Sequence, residues 1–121
     1  MKKLIYTLFV LVGLSSFSFA QENDLAITNG ATELAVSKVS GIYVFTLPDN
    51  VTKEDVAKNA KYYTHYFSVE FKDHKATIKM TNNNAKDRYV IARFLTACKV
   101  RHIQVDDDSL ELYDFIEKHL K

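Results

Sequence analysis

The sequence predicts an α+β fold with the element order β-α-β-β-α-β, followed by one further helix. Two observations carry this prediction. Short segments that are rich in β-branched and aromatic residues, or that alternate apolar and polar, are interspersed with segments of helical periodicity. Polar clusters that favour turns and helix starts separate these segments. Only Gly30, Gly41 and Pro48 interrupt the chain after residue 20. The part of the chain after residue 20 has roughly 100 residues, which fits a single domain.

The first strand and helix lie on either side of a polar turn. Gly41–Leu47 is dominated by β-branched and aromatic residues, and Pro48–Asn50 ends it. Thr52 and Asp55 have the spacing of a capping box, in which each side chain accepts a backbone N–H of the other residue. We therefore expect a helix from Thr52 to about Tyr66. Its apolar stripe consists of Val56, Ala60, Tyr63 and Phe67.

The next two segments have the period of a hairpin. In Phe67–Lys72 and in Ala76–Thr81, apolar and polar residues alternate strictly. Asp73–Lys75 is polar and joins them. We expect two antiparallel strands with one buried face and one solvated face.

The remaining elements are a helix, a strand and a last helix. Asn84 is a predicted N-cap, and an apolar stripe runs from Val90 to Cys98. Val100–Val105 is the fourth predicted strand. Three aspartates follow it, and we expect them to lie at the N-terminus of a helix spanning Ser109 to about Leu120, where negative charge is favourable.

These elements define the expected topology. Two β-α-β crossovers around a hairpin give a four-stranded antiparallel sheet with two helices on one face, which is the ferredoxin-like α/β sandwich. The single domain is expected to span residues 38–121, after a loosely structured leader at 21–37. The strand Gly41–Leu47 is apolar on both faces, so its second face needs a cover. We expect the last helix to supply it; the leader or another molecule are the alternatives.

The first twenty residues have the layout of a signal peptide. Lys2 and Lys3 precede an apolar run, Leu4–Leu14, and small residues lead to Ala20. The run is too short for a good membrane span, which needs about 20 apolar residues. We expect cleavage before Gln21, export to the periplasm or the extracellular space, and no membrane attachment afterwards.

Charge and cysteine content narrow the function classes. The chain has 16 basic and 15 acidic side chains, and removing Lys2 and Lys3 with the signal leaves a net charge near −1. Such a balance gives no single-sign field for nucleic acid, so we expect no nucleic-acid partner. Cys98 is the single cysteine and cannot form an internal disulfide. No cofactor-binding motif is present in the sequence.

Residues 41–105 resemble the heavy-metal-associated domains of copper chaperones and metal-transport ATPases. Phe67–Phe71 and Ala76–Met80 are similar to the second and third strands of that family. The family binds metal through a Cys-x-x-Cys pair in the loop after its first strand. Here that loop, Leu47–Asp55, contains no cysteine. The resemblance therefore implies a degenerate form of the fold and no metal site.

No constellation of catalytic or metal-binding residues stands out. Paired carboxylates and nucleophile settings are not recognisable, and no histidine pair lies on one helical face. We therefore expect an exported, non-enzymatic binding or interaction domain, with a protein or a second copy as partner. The alternative is a copper- or zinc-handling protein that uses histidine, methionine and Cys98. The soft ligands available to it are His65, His74, His102, His119, Cys98 and Met80. The candidate partner surface consists of Tyr62, Tyr66, Tyr43 and Phe45.

Overall fold

A computed structural model describes residues 24–121, so the predicted signal peptide lies outside the described residues. In this part of the chain, four helices and a six-stranded mixed sheet form an α+β fold. The strands are β1 (Leu25–Ile27), β2 (Ile42–Thr46), β3 (Phe67–Lys72), β4 (Lys75–Met80), β5 (His102–Val105) and β6 (Asp108–Glu111). The helices are α1 (Ala31–Ser40), α2 (Lys53–Ala60), α3 (Ala85–Ala97) and α4 (Leu112–Phe115). A 3-10 turn (Lys61–Tyr63) extends α2, and a π-helical turn (Ile116–Leu120) extends α4.

The sheet is larger than expected and is not purely antiparallel. Its strand order is β3-β4-β2-β1-β5-β6. β1 lies between β2 and β5, antiparallel to β2 and parallel to β5, with Ala26 opposite Ile103. The prediction of a four-stranded antiparallel sheet was therefore wrong, because β1 and β6 add one inner and one edge strand.

The prediction of a loosely structured leader was wrong for residues 24–37. Residues 24–37 contain β1 and most of α1 instead of a loose segment. Gly41 adopts the left-handed conformation, with φ of 81°, and its N–H donates to the carbonyl of Ser37 at 2.7 Å. A glycine in this conformation is a common helix C-cap. Gly41 therefore ends α1, and β2 begins one residue later.

The central elements agree with the sequence pattern. β3 and β4 form the predicted hairpin, and Asp73 and His74 have positive φ values of 54° and 63°. Two such residues make the type I′ turn that suits a tight hairpin. The capping box at α2 is also confirmed, because the backbone N–H of Asp55 donates to Thr52 Oγ1 at 3.0 Å and the N–H of Thr52 donates to Asp55 Oδ2 at 3.1 Å. α2 itself is shorter than predicted.

The prediction of a helix from Ser109 was wrong at its start. Asp106, with φ of 54°, and Asp107 form the turn of a second hairpin, in which Val105 pairs with Asp108. Aspartate favours turns as strongly as helix N-termini, and here the neighbouring β5 provides hydrogen-bond partners for β6. The helix begins only at Leu112.

α3 and α4 cover one face of the sheet, which we call the helical face. Phe45 of β2 contacts Phe115 of α4, with ring centroids 5.9 Å apart, and Phe67 of β3 contacts Phe94 of α3 at 5.7 Å. The last helix therefore joins the same layer as α3 and does not cover the second face as expected. On β2, β3 and β4 that second side is the open face. Its side chains are Ile42, Val44, Thr46, Ser68, Glu70, Lys72, Lys75, Thr77 and Lys79.

Candidate functional site: the open face of the sheet

The strand register arranges the open face in three rows. Ser68, Lys79 and Ile42 lie side by side in the first row. Glu70, Thr77 and Val44 form the second row, and Lys72, Lys75 and Thr46 form the third. Because successive side chains of a strand point to opposite faces, every second residue of the hairpin contributes to this surface.

The open face carries more positive than negative charge. It contains three lysines, Lys72, Lys75 and Lys79, against the single carboxylate of Glu70. All four side chains belong to exposed residues. In the described part of the chain, the ion pairs within 4 Å include none of these lysines. Lys72 also lies directly opposite Lys75, and like charges in this position destabilise a sheet.

Apolar surface lies next to these lysines. Ile42 is 40% exposed although it lies in β2, an inner strand of the sheet, and Val44 is only partly buried. Beside them, α1 and β2 border a groove of about 200 Å³. The groove is lined by Asn29, Glu33, Leu34, Val36, Ser37, Ser40, Ile42 and Val44. Apolar and cationic groups are thus adjacent on one exposed surface.

The predicted partner surface is divided by the structure. Tyr43 and Phe45 are fully buried, because they point to the helical face, and they are corrected here to core residues. Tyr62 is 74% exposed on the 3-10 turn after α2. Tyr66 is partly buried just before β3, and its ring meets that of His65 edge-on at 5.3 Å. The four residues therefore do not form one surface.

The structure contains a buried polar cluster around Arg88 of α3, which the sequence analysis did not predict. Arg88 is only 8% exposed, and its guanidinium donates to both the carbonyl and Oδ1 of Asn83 at 3.0 Å. The Tyr43 hydroxyl lies 3.5 Å from Asn83 Oδ1, and burial raises the pKa of this phenol. The sequence does carry a signal for the burial of Arg88, because this residue lies three residues before Ile91 on the apolar stripe of α3. Because these groups contact one another, they stabilise the fold and do not face a ligand.

The soft metal ligands are dispersed. In residues 24–121, no three His, Cys, Asp or Glu side chains are grouped to hold a metal ion. Cys98 is buried, and burial raises the pKa of its thiol to about 11. Asn59 Nδ2 lies 3.8 Å from Cys98 Sγ. Since the thiolate is the metal-binding form, this environment keeps Cys98 in its weakly ligating state.

Away from the open face, His102 near the start of β5 and Asp24 form a second group of polar side chains. His102 Nδ1 lies 3.7 Å from Asp24 Oδ1, and this nitrogen is buried without a hydrogen bond among the described residues. The backbone N–H groups of Arg101 and His102 donate to the carbonyl of Asp24. These bonds join the segment before β1 to β5, so the pair is explained by strand pairing.

Comparison of the chain with protein-family models, with curated proteins and with solved structures found no match. In the part of the chain that the structure describes, no helix combines the length and the apolar character needed to cross a bilayer.

Proposed function

We propose that this chain is an exported, non-enzymatic binding domain whose open face binds a protein partner with acidic and apolar side chains. The observation that supports this proposal is a set of three lysines that have no carboxylate partner among residues 24–121 and lie beside the exposed Ile42 and the partly buried Val44. An acidic partner relieves the repulsion between Lys72 and Lys75. Interfaces commonly combine an apolar centre with a polar rim, and charge complementarity selects the partner.

We also propose that the fold is a ferredoxin-like arrangement with an added strand. β2, β3, β4 and β5 occur in the order expected of a ferredoxin-like arrangement if β1 is regarded as an insertion between β2 and β5. We infer a degenerate relative of the heavy-metal-associated domains, widened by this strand. In such a domain the helices occupy one side of the sheet, which leaves the other side for a partner.

A metal-handling function is the alternative, and no specific observation favours it. Cys98 is buried with a raised pKa, and Met80 is a core residue. Calorimetric titration with copper and with zinc separates the two functions. Binding heat with a defined stoichiometry would overturn the non-metal proposal, whereas a flat titration supports it.

A titration followed by amide NMR tests the proposed site. The probe is a peptide of alternating glutamate and valine, and its control is the same peptide with lysine in place of glutamate. We expect the acidic peptide to shift amide signals in β2 and β4, and the basic peptide to leave them unchanged. Shifts confined to the helices would contradict the proposal.

Charge reversal at two different surfaces tests the role of the lysines and provides a matched control. The double variant Lys75→Glu/Lys79→Glu makes the net charge of the open face negative, and we expect it to weaken binding of the acidic peptide at least about tenfold. Lys53→Glu/Lys58→Glu makes the same change of charge on α2, also at exposed residues. Equal losses in the two double variants would show that net charge alone attracts the peptide, and would overturn the site.

A further inference from the structure

We propose that two copies of this chain pair antiparallel along β3 and form a continuous sheet across a two-fold axis. In the sheet formed by residues 24–121, β3 is an edge strand, and all six of its residues pair with β4 on one side only. Residues 67–72 contain no proline, and their register with β4 runs without a bulge. Natural edge strands usually carry such interruptions to prevent pairing with another chain. β3 therefore presents a regular strand edge to solvent.

The outward backbone groups of β3 follow from the hairpin turn. In a two-residue hairpin, the residues that close the turn exchange both hydrogen bonds, here Lys72 with Lys75. Alternation then directs the N–H and C=O groups of Phe67, Val69 and Phe71 away from β4. Within residues 24–121, the hydrogen bonds of turns, loops and side chains do not use these groups.

The same residues leave apolar surface incompletely covered. The side chains of Val69 and Phe71 point to the helical face but are only partly buried, whereas Phe67 is 1% exposed. The helical layer thus covers the start of β3 and ends before its tip. A strand added alongside β3 would bury both partly exposed side chains and satisfy the outward backbone groups.

A second copy fits this edge because β3 is self-complementary in one register. With Val69 on the two-fold axis, Phe67 lies opposite the partner's Phe71, and Ser68 lies opposite the partner's Glu70. All outward groups then pair, which gives about six hydrogen bonds between the copies. No like charges are opposed in this register.

Other registers are less favourable, because an axis at Ser68 or at Glu70 leaves two hydrogen-bonded pairs instead of three. An axis at Glu70 opposes two glutamates, and like charges directly opposite are destabilising. An axis at Phe71 brings Asp73, which lies in the turn, into the ladder and leaves only one hydrogen-bonded pair. The edge therefore selects the register centred on Val69.

Ser68 provides a test with two variants at one exposed position. Ser68→Glu places like charges opposite the partner's Glu70 twice, and Ser68→Lys places opposite charges there twice. Measured by sedimentation equilibrium, we expect the first variant to raise the dimer dissociation constant by roughly threefold or more and the second to lower it by a similar factor.

The fold provides an internal control for these variants. Within one copy, Ser68 lies opposite Lys79, so glutamate stabilises the monomer and lysine destabilises it. The thermal midpoint of each variant, measured by circular dichroism at a concentration where the chain is monomeric, therefore changes in the opposite direction from the dimer affinity. A weaker dimer in Ser68→Glu cannot then be attributed to unfolding.

A backbone variant tests the strand pairing itself. Val69→Pro removes an N–H that points away from β4, and proline is accepted in edge strands at such positions. We expect a folded monomer. A wild-type chain that stays monomeric up to millimolar concentration, a Val69→Pro variant that still dimerises, or equal or reversed responses of the two Ser68 variants would overturn the proposal.

Discussion

Arg88 Nε donates a 2.6 Å hydrogen bond to the carbonyl oxygen of Leu120. This bond connects α3 to the C-terminal helical turn. Through Asn83, which donates from Nδ2 to the carbonyl of Lys38 at 2.6 Å, the same cluster also reaches α1. The guanidinium therefore ties together three segments that the helical face brings into contact.

We expect Arg88→Met to lower the free energy of unfolding by roughly 2–4 kcal/mol, because the buried carbonyl of Leu120 and the partly buried carbonyl of Asn83 lose their guanidinium donor. Tyr43→Phe is the control in the same cluster. Its hydroxyl makes only a 3.5 Å contact, so we expect a loss below about 1 kcal/mol. Urea unfolding measures both. A loss in Arg88→Met no larger than that in Tyr43→Phe would contradict the role of the cluster.

The capping box at the start of α2 predicts a smaller, local effect. Thr52→Ala removes the hydroxyl that accepts the Asp55 N–H, and we expect a loss of about 1 kcal/mol. Thr52→Ser keeps the oxygen and is expected to stay close to wild type. Equal stabilities of the alanine and serine variants would show that the hydroxyl makes no contribution.

Asp55 adds a pH dependence to the same cap. Hydrogen bonds from the backbone and the side chain of Thr52 lower the pKa of the Asp55 carboxyl. The cap therefore contributes stability above the ordinary aspartate pKa, and this contribution is lost as the pH falls through the lowered value. Urea unfolding from neutral pH to pH 3 should show a smaller acid-induced loss in Asp55→Asn than in wild type. An identical pH profile would contradict the coupling.

Cys98 is expected to be inert in the folded protein. Its pKa of about 11 leaves little thiolate at pH 8, and the side chain is buried. A thiol-reactive chromogenic disulfide should therefore label the native protein far more slowly than the urea-unfolded protein. Thr81→Cys, at an exposed residue, is the positive control and should label at once. Equal rates for native and unfolded wild type would contradict the burial of Cys98.

His119 predicts a second pH effect. Burial lowers the pKa of this histidine, whose ring lies against that of Phe115 at 5.8 Å. The folded state therefore favours neutral imidazole, and stability falls as the pH drops through the ordinary histidine value towards the lowered one. His119→Gln should remove this part of the pH dependence; an unchanged slope between pH 7 and pH 5 would contradict it. The charges that also act on this ring are Lys118 and Lys38, which lower its pKa, and Asp106 and Asp108, which raise it.

The local sequence pattern was sufficient to predict the elements that nearby residues determine. The β3–β4 hairpin follows from strict alternation on both sides of a polar turn, and the start of α2 follows from its capping box. The N-cap of α3 was found for the same reason, because Asn84 Oδ1 accepts the backbone N–H of Asp87 at 2.8 Å. In each case the residues that decide the structure lie within a few positions of one another.

The two missed strands have different causes. β1 has three residues and forms by pairing with β5, where Leu25 lies opposite His102 far along the chain. β6 pairs with the nearby β5, but the aspartates between them suit a helix N-terminus as well as a turn, so the local pattern did not decide between the two. The burial of Tyr43 depends on which face of β2 receives the helices, which the alternation of β2 alone does not reveal.

Solvent exposure of two isoleucines on opposite faces of the sheet shows whether the second face is open to solvent. Methyl NMR in the presence of a soluble gadolinium chelate measures it. We predict strong relaxation enhancement for Ile42, which is 40% exposed on the open face, and almost none for Ile78, which is fully buried on the helical face. Equal protection of both methyl groups would show that the second face is covered, and would contradict the account.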